Sequence, residues 1–190
     1  MEYILIIISA IFVNNIVLTQ FLGICPFMGV SNKISTAAGM SATVTFVMTI
    51  STIITYLIMT YILKPLGIEF LQTITYILVI ASLVQMVEII LKKVAPSLYQ
   101  SLGVFLPLIT TNCAILGVAI IVVQKDYNLI KGVVYAVSMA FGFALAMVVF
   151  AGLREHLEFA AVPRSMKGIP VCLVTAGLLA MAFMGFLGIV

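Results

Sequence analysis

Two cysteines, Cys25 and Cys113, carry the residue types in this chain best suited to metal or redox chemistry. Each lies inside an apolar run beside residues that interrupt a helix. The two stretches are Leu22-Gly-Ile-Cys-Pro-Phe-Met-Gly29 and Leu108-Ile-Thr-Thr-Asn-Cys-Ala-Ile-Leu-Gly117. Aligned on the cysteine, both read Cys, three residues, Gly, Val. A thiolate is a soft ligand suited to zinc or iron–sulfur groups. A lone cysteine in an apolar setting more often simply packs as a small hydrophobe. Here the helix-breaking context, the equivalent placement and the small residues nearby argue for chemistry.

Two thiolates alone make an incomplete site, because tetrahedral zinc and iron–sulfur groups usually take four protein ligands. The chain has one histidine, His156, between apolar runs, and no Cys-x-x-Cys pair. The third cysteine, Cys172, has no breaker beside it and reads as packing. The missing ligands must then come from a second chain.

The elements that would position these cysteines are membrane helices. Of the 190 residues, 64% are hydrophobic and 8% charged, against roughly 25% charged in an average soluble domain. A soluble fold could not hide so much apolar surface. The apolar runs are ~20–30 residues long, which suits helices rather than the ~9–11-residue strands of a membrane barrel. The fold class is therefore an all-α integral membrane protein in a lipid bilayer. The net charge of +3 is spread between apolar runs, with no basic stripe of the kind that binds nucleic acid. No cleavable leader is expected, since Met1-Glu2-Tyr3 lacks a positive region and the following run is too long.

Six segments follow, at about 3–30, 36–63, 70–91, 98–123, 129–153 and 168–190. The first and fourth exceed the ~20 residues of a straight crossing. Their excess coincides with Asn14, Asn15, Gln20, Gly23, Pro26 and Gly29, and with Gly103, Pro107, Thr110, Thr111, Asn112 and Gly117. Proline removes a backbone donor and clashes with the preceding turn, so helices 1 and 4 are predicted to be broken at mid-membrane. Turns are expected at Lys64–Glu69 and around Pro96, and a polar loop from Arg154 to Lys167.

Cys25 and Cys113 are 88 residues apart, close to half the chain. The single membrane domain 1–190 thus reads as two repeats, about 1–95 and 96–190. Three crossings per half invert the second half relative to the first. Broken helices at matching places usually mark a functional site near the midplane. Loops 1–2, 3–4 and 5–6 carry Lys33, Lys92, Lys93, Arg154, Arg164 and Lys167. The other face carries Lys64, Lys125 and Lys131. The positive-inside rule then puts both termini on the non-cytoplasmic side.

The intramembrane polar residues Asn14, Asn15, Gln20, Thr110, Thr111 and Asn112 have two readings. They line an ion path, or they satisfy backbone groups freed at the breaks; the second is favoured. Glu88 and Lys92 read as an i,i+4 surface pair. The region around His156 reads as a solvated face or a docking surface.

The stretches Val13–Val30 and Phe105–Val118 resemble the two signature segments of the A-subunit family of the Rnf complex. That complex is an ion-translocating ferredoxin:NAD oxidoreductase. Similar segments occur in the paralogous E-type protein of the sodium-pumping NADH:quinone oxidoreductase. The resemblance spans the whole chain. It implies that Cys25 and Cys113 ligate a [2Fe-2S] cluster, with two further ligands from the homologous E-type membrane protein of the Rnf complex. Gly23, Gly29, Asn112 and Gly117 would surround it, and backbone N–H groups freed there would donate to sulfur. It further implies a one-electron relay across a bacterial or archaeal cytoplasmic (inner) membrane, driving Na⁺ or H⁺ translocation. The other partners would be the B, C, D and G components of that complex. A residue-level alternative is a small inverted-repeat secondary transporter with structural cysteines, and a third is a membrane scaffold.

Overall fold

The computed structural model describes residues 2–94, 106–159 and 167–185, all of whose regular structure is helical. The predicted loop at Pro96, together with Gly103, the start of the fourth segment, Arg164 and residues 186–190, lies outside these.

The first segment is broken, and over a longer stretch than its proline suggests. Helix α1 (Glu2–Ile8) loosens into a π turn at Ser9–Val13. The chain then runs through turns until α2 (Ile24–Gly29). The fourth segment is interrupted more sharply. Helix α5 (Leu106–Thr110) stops at Thr111-Asn112, and α6 (Cys113–Gln124) starts at once. Between them lie α3 (Ile34–Ile58) and α4 (Gln72–Val94). After them come α7 (Leu129–Glu158) and α8 (Ile169–Met184).

Among the described residues, four stretches are long and apolar enough to cross a membrane: Ile34–Leu66, Glu69–Ile90, Pro107–Gln124 and Leu129–Glu158. Tyr3–Val13 and Ile169–Met184 are shorter apolar helices at the places of the first and sixth predicted segments. The protein is a multi-pass membrane protein. Exposed Ile, Leu and Phe side chains, such as Phe46, Ile74, Leu78, Ile130, Phe141 and Leu178, suit contact with lipid.

Two boundaries differ from expectation. The turn predicted at Lys64 begins only at Gly67, where φ is +68°, because helix continues through a π turn (Met59–Leu63) and on to Leu66. Pro65 falls in the last turn of that continuous helix, just before it ends at Gly67. Helix α7 runs five residues past Leu153, so Arg154, Glu155, His156 and Glu158 are helical rather than loop residues. Apolar length reports the depth of the membrane, not the end of the helix.

The core is the pairing of α3 with α7. Ala37, Met40, Val44, Val47 and Met48 meet a face of α7 that includes Ala136, Met139, Ala140, Phe143, Ala146 and Met147. Alternating small and large residues let these helices interlock, as expected where lipid gives no hydrophobic drive and packing must hold helices together. The hydroxyls of Ser41, Thr43, Ser51, Thr52 and Thr55 each donate to a carbonyl one turn back, so they are buried without loss.

The charged ends sort into two groups. Lys33, Arg154 and Lys167 line one cavity. Lys125 lines another together with Leu5, Ser9 and Asn14 of the first segment.

Candidate functional site

The two breaks meet. The Gly23 N–H donates to Cys113 Sγ at 2.8 Å, joining positions 90 residues apart. Cys25 lies two residues further along the chain, and two residues span at most ~7 Å. The backbone of Cys25 therefore lies near Cys113 Sγ. Cys25 is exposed and Cys113 half-buried. Each opens a helix that follows a break: Cys25 is the second residue of α2 and Cys113 the first of α6. The sulfur of Cys113 sits at the positive end of a twelve-residue helix, where negative charge is favoured.

Gly23 and Gly117 make the approach possible. Gly23 has φ +79°, a left-handed conformation that a side chain resists. A Cβ there would lie 3.1 Å from Ala114 Cβ, 3.1 Å from the Phe143 ring and 3.2 Å from Asn112 Oδ1. A Cβ on Gly117 would come within 2.7 Å of Leu22 Cδ1, and one on Gly29 within 3.5 Å of Leu108. The three contacts lie along the seam where α2 and its approach cross α5 and α6.

Asn112 caps α6. Its Oδ1 accepts from the Ala114 N–H at 3.0 Å, a role asparagine fills well. The residue is 3% exposed, and its Nδ2 has no partner among the described residues. The Oδ1 of the same side chain borders Gly23, the glycine whose amide reaches the sulfur.

Asn15 does the corresponding work in the long first break. Its Nδ2 donates to Gly142 O at 2.8 Å and its Oδ1 accepts from the Val17 N–H. Gly142 permits this, since a Cβ there would be 3.2 Å from Ala10 O. Asn14 donates to Ser9 Oγ, and the Thr111 hydroxyl to Pro107 O. These polar residues satisfy freed backbone and neighbouring groups, as favoured from sequence, while Gln20 is exposed. Cys172 is buried in the apolar core.

A clamp on α2 has no counterpart among the sequence expectations. Arg154 donates to Met28 O and to Ser31 Oγ, both at 2.7 Å, and its guanidinium lies over the Phe150 ring. Phe150 in turn stacks on Phe27 with centroids 4.3 Å apart. One turn of α7 thus grips the cysteine-bearing half-helix from its C-terminal end. The signal available was a lone arginine one turn after a phenylalanine at the end of an apolar run.

The donor set is two thiols, one N–H already on sulfur and one unspent amide. It suits a thiolate-bound group needing further ligands from outside the chain. Among the described residues no three His, Cys, Asp or Glu side chains gather into a metal-sized group.

Comparison with known proteins agrees over the full length. The family model described as "Rnf-Nqr subunit, membrane protein" matches residues 3–190. The A component of the Na(+)-translocating ferredoxin:NAD(+) oxidoreductase complex of Acetobacterium woodii is 59% identical, with 99% of this chain and 98% of that protein covered. The A component of the ion-translocating oxidoreductase complex of Syntrophotalea carbinolica is 55% identical, with 98% and 96% covered. Its counterpart in Vibrio cholerae is 50% identical, with 100% and 98% covered.

Proposed function

The chain belongs to the Rnf-Nqr family of membrane proteins, and on that footing we propose that it relays electrons across the membrane within a redox-driven ion pump. Its relatives are components of ion-translocating oxidoreductase complexes. The proposed cofactor is a [2Fe-2S] cluster, held through Cys25 and Cys113 together with the matching cysteines of a homologous partner, the E-type membrane protein of the complex. When bound, such a cluster takes up and releases one electron.

The observation that carries this reading is the hydrogen bond from Gly23 N–H to Cys113 Sγ, which ties the break two residues before Cys25 to Cys113 itself. The residues of this chain have definable tasks. Cys25 and Cys113 supply two of four thiolates, and the exposed position of Cys25 leaves it open to a partner chain. Gly23 and Gly117 let the half-helices lie close enough. Phe27, Phe143 and Phe150, all fully buried, exclude water beneath the site.

The full reading is a ferredoxin:NAD⁺ oxidoreductase complex coupled to Na⁺ or H⁺ movement, with this chain as its membrane electron carrier. The proposed setting is the cytoplasmic membrane with both termini outside, six crossings and an inverted repeat. Two features support that topology. Cations from either side of the 1–2 and 5–6 connections line one cavity, and Lys125 shares another with the first segment. The transporter alternative loses Asn15 as a solute ligand, since its side chain is engaged with backbone groups.

The test uses the assembled complex carrying Cys25→Ser or Cys113→Ser. Ferredoxin-dependent NAD⁺ reduction is expected to fall by orders of magnitude while all components remain associated. Unchanged turnover, or solute uptake by the isolated chain in liposomes, would overturn the relay.

A further inference from the structure

We infer that the Asn112 carboxamide is a positioning residue that sets the electrostatics of the Cys113 side of the site, an inference that rests on the relay reading above. The two ends of this side chain are bonded unequally. Oδ1 must face the Ala114 N–H, because an N–H requires an acceptor. The carboxamide orientation is thereby fixed, and Nδ2 is the half left over.

That Nδ2 has no partner among the described residues, in a side chain 3% exposed. A buried donor left unsatisfied is costly and in most proteins finds a partner. Asn112 Oδ1 lies 3.2 Å from where a Gly23 Cβ would be, and the Gly23 N–H itself reaches Cys113 Sγ, so the side chain borders the Cys113 side of the site. The acceptors proposed to complete it are the sulfurs assembled around Cys113.

The other half of the chain has no equivalent. At the same 88-residue offset, Asn112 corresponds to Ile24, which carries no side-chain donor. Gly23 corresponds to Thr111, whose N–H goes to Pro107 O instead. The site is one-sided: Cys113 has both an amide bond and an unspent donor beside it. Donors to sulfur withdraw negative charge and favour the reduced form, so this side raises the reduction potential.

The test uses the intact complex with Asn112→Ser and Asn112→Asp, both of which keep an oxygen to cap α6 while removing the amide donor. The readout is an EPR-monitored redox titration. The expected result is a full-intensity cluster whose reduction equilibrium constant falls about tenfold, which is ~59 mV for one electron. An unchanged potential in Asn112→Ser at full iron content would overturn the inference. So would weakened binding of the partner chain with an unchanged potential, because the amide would then serve the interface.

Should the variants assemble poorly, the native complex labelled with side-chain ¹⁵N asparagine still decides. A nitrogen coupling to the reduced cluster in pulsed EPR is expected, and its absence refutes the assignment. A native complex lacking any iron–sulfur signal would instead remove the relay reading, and this inference with it.

Discussion

Replacing Gly23 by alanine tests the close approach of the two breaks. Two costs add. The left-handed backbone at φ +79° penalises a side chain by ~1–2 kcal/mol. The new methyl also meets Ala114 Cβ and the Phe143 ring at 3.1 Å. The first is tied to the backbone of α6, and the second is fully buried in the α3–α7 core, so neither can yield cheaply. Overpacking of this kind costs ~1–3 kcal/mol, giving about 2–5 kcal/mol in all. Gly67 supplies the control. Its φ is +68°, but nothing lies within 4 Å of an added methyl. Gly67→Ala should therefore lose only the backbone part, ~1–2 kcal/mol. Equilibrium unfolding of both variants in mixed micelles, with iron content measured on the assembled complex, separates the contributions. Gly23→Ala is expected to be the less stable by ~1–3 kcal/mol and to lose iron, while Gly67→Ala keeps its iron. Equal losses in the two variants would mean that the breaks do not pack as described.

Two further outcomes follow from named contacts. Arg154→Gln removes the charge from the bonds to Met28 O and Ser31 Oγ, each such bond contributing about 1.5–3 kcal/mol; hydrogen exchange should speed up over residues 24–31 and little elsewhere, and unaltered protection there would refute the clamp. Asn15→Ala orphans the Val17 and Leu18 N–H groups, while Gly142 O keeps its bond within α7, so stability should drop by about 1–3 kcal/mol for each unsatisfied group, read from thermal unfolding; a neutral substitution would show that these groups find other partners.

Much of the site was legible because helix breaking leaves strong marks. Pro26, Asn112 and the excess length of two apolar runs point to interruptions at both cysteines, and the helices do restart there. Asparagine's ability to cap and to satisfy freed backbone groups makes the roles of Asn15 and Asn112 accessible from residue type alone. The extent of the first break is not. Asn14 to Gly23 contains no proline, and the π turn before it depends on Gly142 letting α7 come close. The bond from Gly23 to Cys113 depends on a positive φ and a contact across 90 residues, neither of which composition encodes. Polar residues at the end of an apolar run suggest a loop, which hides the helical Arg154. Its guanidinium stays with the structure by reaching a half-helix end that periodicity cannot locate.

Joint tenure by Cys25 and Cys113 of half a thiolate-ligated redox centre, shared with a second chain, is the central claim. EPR of the reduced complex, recorded for the native protein and for Cys25→Ser and Cys113→Ser, addresses it most directly. An iron–sulfur signal is expected in the native complex. It should disappear, with loss of its iron, in each of those single variants while Cys172→Ser retains it. A native-strength signal with unchanged iron content in both Cys25→Ser and Cys113→Ser would contradict the claim.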